Sequence, residues 1–536
     1  MGAEKRYCKL FEELTQLEFI YKINMSKVAN RVIANTGILY LKMIFSVVIS
    51  LYTTRIILEA LGIMDFGLYN LIAGVVALLS FLNAAMSIST QRYLSVSQGK
   101  GEITEQKEIF SNSLLLHIVL GIGLAITLFC LIPFLFENFL NIPSERISAA
   151  KAIYISTIIA VFFSILSVPF TASLNAHENM LFIAIVEIIE LLLKLIIALS
   201  VFHFSGDKLI YYGVLISIVA ILSFIIYSIF CVKKYEECSF NIWQRRNSLL
   251  IKELGSFAGW NLFGAGCGIG RTQGLAVILN LFFGTIINAA YGIANQVSGQ
   301  MTFFSAALLR ALNAQIMKAE GTRDRSRMIR LAMSACKFSF FLIALVVIPF
   351  FLEMDTVLFL WLNAVPEYAV SFCKLVLISI LINQLTIGIQ SAFQAVGRIK
   401  LYQTIIGSLI LLNLPIAYVY LSLGYNPNIV LIISVFIDII SGIFRVFLCK
   451  YLINIPFQLY IKDVLFKVIF PFLITILCSY LFVSSFDFAY RIICTVIIST
   501  TVGSITIYLM GLNVSERTYL KAQLVNIKSK IYGYIK

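Results

Sequence analysis

Fourteen apolar stretches, each long enough to cross a lipid bilayer, constrain this chain more than any other feature of its sequence. A transmembrane helix needs about 20 mostly apolar residues. Only 13% of the residues are charged, whereas soluble domains carry about 25%. The sequence therefore predicts an all-α polytopic membrane protein. The predicted spans cover residues 34–58, 66–90, 109–135, 149–172, 179–204, 209–232, 254–281, 286–314, 329–352, 368–395, 403–423, 428–449, 464–484 and 489–511.

The basic residues predict which side of the membrane each connecting segment occupies. With the N terminus in the cytoplasm, the cytoplasmic segments hold 29 Lys and Arg residues and the outer segments hold 4. Cytoplasmic segments of membrane proteins carry such an excess, so both termini are predicted to be cytoplasmic. The same excess explains the net charge of +14, and we expect no nucleic-acid partner.

A degenerate internal repeat relates the two halves of the chain. Four matches occur in the same order at nearly one spacing: Gly62 with Gly284, Gly101 with Gly321, Pro133 with Pro349, and Asn175 with Gln394, which lie 222, 220, 216 and 219 positions apart. This offset carries spans 1–6 onto spans 7–12, so both copies have the same orientation. Parallel repeats of this kind are related by an axis along the membrane normal, with the binding site at their interface. We expect two six-helix lobes and two additional C-terminal helices.

The spans and the repeat divide the chain into six segments. In the first segment, Met25 precedes Ser26 and Lys27 and resembles an alternative start, so residues 1–24 are predicted to be an extension. The predicted segments are a cytoplasmic N-terminal segment 1–30, the N-lobe 31–232, a cytoplasmic linker 233–252, the C-lobe 253–452, two further spans in 453–511 and a basic cytoplasmic tail 512–536.

Eight basic residues lie inside predicted spans, where each costs about 2.5–3.5 kcal/mol at a helix centre on insertion scales. Such side chains reach the membrane surface, pair with acids or face water. Four of the eight lie close to a span end, so reaching the surface and facing a cavity both stay open for them. These four are Arg55, Arg310, Lys374 and Arg445, and the others are Lys42, Lys194, Arg271 and Lys337.

Two of these residues have a more specific interpretation. Lys194 follows Glu190 by four positions, so the spacing predicts a structural ion pair on one helix face. Arg271 lies in mid-span among glycines, with no acidic residue close by in its own helix, and we expect it to line a water-filled cavity. The run Gly264–Gly270 resembles a phosphate-binding loop but lacks the preceding strand and the Walker lysine, so close helix packing or a hinge is expected.

The remaining polar residues of the spans favour substrate binding over catalysis. Spans 7, 8 and 10 carry amides that can hydrogen-bond polar parts of a substrate, including Gln273, Asn295 and Gln296. The sequence has no recognisable pairing of a nucleophile with a base, no metal-ligand motif and no ATP-binding motif. It therefore predicts a protein that is not an enzyme and that uses no cofactor.

Four stretches resemble bacterial polysaccharide exporters, the O-antigen and capsule flippases of the multidrug/oligosaccharidyl-lipid/polysaccharide (MOP) exporter superfamily. These stretches are Asn30–Thr36, Thr54–Gly62, Asp65–Asn70 and Gln91–Tyr93. The resemblance implies a fold like that of MATE transporters and lipid II flippases, with a central cavity that opens to each side in turn. It also implies transfer of an undecaprenyl-pyrophosphate-linked oligosaccharide across the bacterial inner membrane for surface polysaccharide biosynthesis. Membrane lipids and polysaccharide-assembly proteins are the implied partners.

The resemblance and the charges together give a set of candidate binding residues. Asp65 matches an acidic residue that lipid II flippases carry at the start of span 2, but their paired arginines are absent, because Ala77–Phe81 is apolar. This departure argues against lipid II as the substrate. A pyrophosphate in a low-dielectric cavity requires basic groups. The candidate substrate-binding residues are Arg271, Lys42, Arg55, Arg310, Asp65, Asn295, Gln296 and Gln273.

Two other functions stay open. A multidrug exporter of the same superfamily would expel organic cations, and it would need carboxylates in its cavity, whereas the spans hold eight bases and only three clear acids. A polysaccharide polymerase or ligase would need a large outer loop, and the predicted outer loops are short. Coupling to H⁺, to Na⁺ or to no gradient is not decided by the sequence.

Overall fold

The computed structural model describes residues 35–50, 52–62, 64–69, 72, 80–136, 142–240, 245–362, 365–486, 491–518 and 520–521. These residues form helices and connecting turns, and they contain no β-strand. The N-terminal segment, the alternative start at Met25 and most of the basic tail lie outside the described residues.

The helices follow one another along the whole described chain. In the first half they are α1 (Asn35–Gly62), α2 (Ser80–Lys100), α3 (Ile103–Cys130), α4 (Ile132–Phe134), α5 (Ile147–Ala176), α6 (Met180–Val201) and α7 (Lys208–Lys234). In the second half they are α8 (Ser248–Gly321), α9 (Arg325–Leu352), α10 (Met354–Leu362), α11 (Ala369–Gln384), α12 (Ile387–Val396), α13 (Ile399–Leu411), α14 (Asn413–Ser422), α15 (Asn428–Ile453), α16 (Phe457–Tyr460), α17 (Phe466–Ser485) and α18 (Arg491–Thr506).

Ten helices in the described part of the chain are long and apolar enough to cross a membrane, or eleven if the bent pair α11 and α12 forms one span. The number fourteen stays a prediction. The 74 residues of α8 would extend about 111 Å, far more than the roughly 30 Å of a bilayer core, and α8 breaks at Gly284. The sequence of α6 carries three charged residues, and part of the predicted second span lies outside the described residues.

The buried apolar residues form separate cores in the two halves of the chain, as expected for two lobes. Three clusters lie between Leu39 and Cys238, and the large fourth cluster lies between Leu275 and Val468. α17 and α18 pack against α9 of the second lobe, where Gly503 lies close to Leu345. The two additional C-terminal helices therefore extend the C-lobe.

The backbone repeats itself at nearly the offset found in the sequence, except that Gly101 corresponds to Arg323, and Gly321 corresponds to Gly99. Positive φ angles, which residues other than glycine rarely adopt, occur at matching places in both lobes. The matching residues are Gly62 (77°) with Gly284 (75°), Gly101 (77°) with Arg323 (60°), and Glu178 (59°) with Gly397 (85°). The first two pairs lie 222 positions apart and the third 219, so the two halves bend at equivalent turns.

α2 and α8 bring the lobes into direct contact through their last turns, on the side predicted to be cytoplasmic. A Cβ atom added to Gly99 would overlap the carbonyl oxygen of Lys318, and one added to Gly321 would overlap that of Val96. An offset of 222 carries Val96 onto Lys318 and Gly99 onto Gly321. Each helix therefore presents the same two positions to the other, and we call this the glycine contact.

Two side chains fasten the lobes beside the glycine contact. Arg92 of α2 donates from Nε to the carbonyl oxygens of Gln394 at 2.9 Å and Ala395 at 3.3 Å. On the other side of the contact, the carboxylate of Glu178 accepts hydrogen bonds from Gln315 and Lys318 of α8, each at 2.7 Å. Glu178 lies just after the end of α5, and Gln394 and Ala395 lie at the end of α12, which is the corresponding helix end in the second repeat. The two fastenings are therefore related by the repeat. They close the space between the lobes on this side.

Candidate functional site

The second half of α8 has one exposed face made mostly of small and polar residues. The exposed residues recur every three or four positions, which places them on one face of a helix. The face begins at Ile286, which is large, apolar and 67% exposed. The exposed residues that follow are Ala289, Gly292, Gln296, Gly299, Phe303, Ala306 and Arg310, and we call these seven the α8 face. Two of the predicted binding residues, Gln296 and Arg310, belong to it.

A comparison with α15 indicates that the α8 face borders water rather than lipid. Exposed positions of α15 at the same helical spacing are large and apolar, namely Phe436, Ile440, Ile443 and Phe447. This is the composition expected next to lipid tails. A face with an arginine, a glutamine, two glycines and two alanines would instead leave polar groups without partners in lipid. The composition of the α8 face therefore suits contact with water better than contact with lipid.

α1 links charged residues of the N-lobe to α8. Glu187 forms an ion pair with Lys42 of α1. Glu190 pairs with Lys194 at 2.7 Å, the i,i+4 arrangement expected from the sequence. α1 is also joined to α8 directly, because Tyr40 donates to the Phe304 carbonyl oxygen at 2.7 Å.

Arg271 is held by an acid from another helix. Its Nη1 lies 2.8 Å from Oδ1 of Asp438 in α15, and the Asp438 side chain is only 3% exposed. The sequence shows no acidic partner for Arg271 in its own helix, and the partner found in the structure lies 167 positions away. The Arg271 side chain keeps 23% of its surface exposed, so its role as a cavity residue stays a prediction.

Asn295 and Gln273 lie on the two sides of the break in α8 at Gly284. Asn295 is half-buried, and Gln273 is exposed on the first half of α8. The structure thus places Gln273 before Gly284 and places Asn295 and Gln296 after it, on different stretches of α8.

The two candidates at the outer end of spans 1 and 2 are not equivalent. Arg55 is exposed on α1. Asp65 is an acceptor for both Nε and Nη2 of Arg146, and Arg146 also lies 2.9 Å from Asp207, the residue before α7. The Asp65 carboxylate is thus committed to a structural ion cluster that joins spans 2, 4 and 6, and it is neutralised there.

Several predicted amides serve the packing of the C-lobe. Gln403 donates to Asn261 at 3.3 Å, and Gln384 accepts from Ser305 at 2.5 Å. Asn383 accepts from Arg445 at 3.0 Å. Arg445 is 7% exposed, so it does not reach the membrane surface as the position near a span end had suggested.

The charges of the spans leave a positive surplus. The three acids inside predicted spans are all engaged by bases, namely Glu187 by Lys42, Glu190 by Lys194 and Asp438 by Arg271. Lys337 and Lys374 pair with acids beyond the spans, Glu516 and Asp355. Within the described ranges, no carboxylate lies within 4 Å of Arg55, Arg310 or Arg445. Of these three, Arg310 is the one on the α8 face.

Sequence reasoning missed two features of this site. The pairing of Asp438 with Arg271 depends on how α8 and α15 pack, and no local spacing reveals it. The α8 face, in contrast, had a visible signal: Ala289, Gly292, Gly299 and Ala306 recur at helical spacing together with Gln296 and Arg310. That periodicity also identifies Phe303 as a member of the face.

Known structures show the same fold at low sequence identity, whereas no protein-family model and no curated protein sequence matches the chain. A mutant of a MATE protein has a TM-score of 0.69 at 14% identity, covering 79% of this chain and 96% of that one. An outward-facing multidrug resistance MATE family transporter of the MOP superfamily gives 0.68 at 14%, covering 79% and 95%. A MOP superfamily transporter from Pyrococcus furiosus, described as having a binding pocket of reverse polarity, gives 0.68 at 13%, covering 80% and 96%. The chain therefore has the fold of MATE-family transporters of the MOP superfamily.

Proposed function

We propose that the protein is a membrane transporter for an anionic lipid-linked oligosaccharide, of the undecaprenyl-pyrophosphate class, in surface polysaccharide biosynthesis. The observation that carries the proposal is the charge balance of the spans. Every acid inside them is engaged by a base, while Arg310, on the α8 face, has no carboxylate within 4 Å in the described part of the chain. A cavity with this surplus favours an anion over an organic cation.

Pyrophosphate fits the chemistry of this end of the cavity. A guanidinium group presents a planar set of donors that binds phosphate oxygens two at a time. Its attraction for a phosphate is large where water is scarce. Lys42 is paired with Glu187 and follows Tyr40, which bonds α8, so it is a second cation that a pyrophosphate can recruit. The amide of Gln296, further along the α8 face, suits the hydroxyl groups of sugars.

The arrangement of the lobes supports transport by alternating access. The glycine contact and its two fastenings close the cavity on the predicted cytoplasmic side. They are built from equivalent positions of two repeats, so a rocking motion of one lobe against the other separates them together. Release of this contact would admit a substrate from the cytoplasm.

The alternative function is export of organic cations, as the multidrug resistance transporter with this fold suggests. Such an exporter would bind its substrate through carboxylates. Glu187 and Glu190 are 30% exposed, but each already has a lysine partner. The transporter from Pyrococcus furiosus, described as having a pocket of reverse polarity, illustrates that this fold is compatible with a differently charged pocket.

Substitution of Arg310 tests the proposed function in cells. Arg310→Ala is expected to abolish surface polysaccharide and to leave the lipid-linked precursor on the cytoplasmic face, whereas Arg310→Lys retains part of the transport. Arg246→Ala removes an exposed arginine outside the spans and is the matched control. Normal polysaccharide in a correctly inserted Arg310→Ala protein would contradict the proposal.

A further inference from the structure

We propose that Phe303 is a specificity-determining residue of the transporter, the platform on which a sugar ring of the substrate packs. The inference rests on the proposed function and specifies which part of the substrate the α8 face recognises. Phe303 is 61% exposed and lies in the middle of the α8 face, between Gln296 on one side and Arg310 on the other.

The neighbours of Phe303 leave its ring uncovered. One turn before it lies Gly299, where an added Cβ would have nothing within 4 Å, and one turn after it lies Ala306. The adjacent Phe304 is held differently, because its ring lies 6.0 Å from that of Tyr40 and its carbonyl oxygen accepts from the Tyr40 hydroxyl. The backbone next to Phe303 is thus anchored while the Phe303 ring projects into open space.

An exposed aromatic ring in a polar cavity suits a sugar better than it suits a lipid tail. One side of a sugar ring presents C–H groups, which pack on the negative face of an aromatic ring, while its hydroxyl groups need hydrogen bonds. Gln300 and Gln296 are exposed on the same side of the helix and provide them. An aromatic ring flanked by amides therefore matches both parts of a sugar.

The spacing along α8 places these groups in the order that the proposed substrate requires. At 1.5 Å per residue, Phe303 lies about 10 Å along the helix from Arg310, and Gln296 about 21 Å from it. A pyrophosphate at Arg310 would leave the attached sugars to extend past Phe303 towards Gln296. This is the length of an oligosaccharide of several sugars and exceeds that of one.

Lipid contact is the other explanation for an exposed phenylalanine, and the surroundings argue against it. Phe447 of α15 is exposed to almost the same extent, 62%, but its helical neighbours Ile443 and Phe444 are also large, apolar and exposed. The helical neighbours of Phe303 are glycine, alanine and glutamine. The repeat offset of 222 also places Phe81 at the corresponding position of span 2.

The experiment compares two lipid-linked probes in proteoliposomes that contain the full-length protein. The first is the lipid-linked oligosaccharide extracted from cells that lack this gene, and the second is undecaprenyl pyrophosphate carrying a single sugar. Phe303→Ala is expected to lower transport of the first probe about tenfold and to change transport of the second by less than twofold. Phe303→Tyr restores transport of the first probe, because it restores the ring.

The controls separate this inference from the proposed function. Phe447→Ala removes an equally exposed ring from α15 and should change neither rate, whereas Arg310→Ala should lower both. Equal effects of Phe303→Ala on the two probes, or no effect on either, would overturn the role of Phe303 while wild-type transport still upheld the function. Failure of the wild-type protein to move either probe would overturn the function itself.

Discussion

Arg271 and Asp438 hold two charges inside the C-lobe, and removing one should cost more than removing both. A buried charge that loses its partner costs about 3–5 kcal/mol, whereas apolar replacement of a whole pair is often neutral. We expect Arg271→Ala to lower the yield and the thermal stability of the purified protein and to abolish transport. Arg271→Met combined with Asp438→Leu should recover stability. Normal stability of Arg271→Ala in a thermal unfolding assay would show that the pair does not stabilise the lobe.

Glu237 makes stability depend on acid pH. Burial opposes ionisation of this carboxyl, but hydrogen bonds from His177 at 2.6 Å and Ser173 at 2.9 Å hold its pKa below the ordinary value. A lowered pKa stabilises the fold above the ordinary value of about 4.3, and the contribution disappears as the pH falls through the lowered pKa.

The variant Glu237→Gln measures this contribution. It should lose about 2 kcal/mol at pH 7, as expected when hydrogen bonds to a buried charge are removed. Its thermal stability should then fall less than that of the wild type on acidification below pH 4. The same dependence on acid pH in both proteins would show that another group is responsible.

At the scale of single residues, the sequence indicated candidate binding residues better than it indicated which residues form ion pairs with one another. Arg310 and Gln296 were expected to bind substrate, and the structure places both on the α8 face. Asp65 had no visible partner in sequence, because Arg146 is 81 positions away. Pairs such as these form only when helices pack, so no local spacing reveals them.

Substitutions at positions of α2 and α8 that are related by the repeat should have equivalent effects. A methyl group at Gly99 or at Gly321 would overlap a backbone carbonyl of the other helix, and the backbone can yield only if the lobes separate. Gly99→Ala and Gly321→Ala should therefore both weaken closure on the predicted cytoplasmic side. Gly123→Ala is the control, because a Cβ there would have nothing within 4 Å.

Cysteine labelling measures this closure. In a protein whose native cysteines are replaced, Ala306→Cys places a thiol on the α8 face. A membrane-impermeant maleimide added from the cytoplasmic side should label it faster in both glycine variants, by similar factors, and at the wild-type rate in the control. Faster labelling in only one of the two variants would contradict the equivalence of the repeats.

The helices themselves were largely predictable, because apolar length and the offset of the repeat are properties of the sequence. Bends inside spans were not predictable. The break of α8 at Gly284 falls between the predicted spans 7 and 8, whereas the tenth predicted span is divided into α11 and α12 by a bend of 44°. Such bends depend on packing and on single turns, which periodicity does not determine.

At the scale of the molecule, two lobes meet through equivalent positions on one side, and the spans carry a surplus of positive charge. Both properties follow from a duplicated unit that has diverged: the backbone turns at Gly62 and Gly284 are preserved, whereas Arg310 corresponds to Ile88 at the same offset. The two lobes are therefore alike in their backbone turns and different in charge at this position. An asymmetric charge allows one end of a long substrate to be bound in a defined orientation.

Transport by the purified protein in liposomes tests the central claim most directly. The assay offers, in parallel, a lipid-linked oligosaccharide and an organic-cation dye. The account predicts that the wild-type protein moves the lipid-linked oligosaccharide, that Arg310→Ala does not, and that neither protein moves the dye. Movement of the dye without movement of the lipid-linked oligosaccharide would contradict the account.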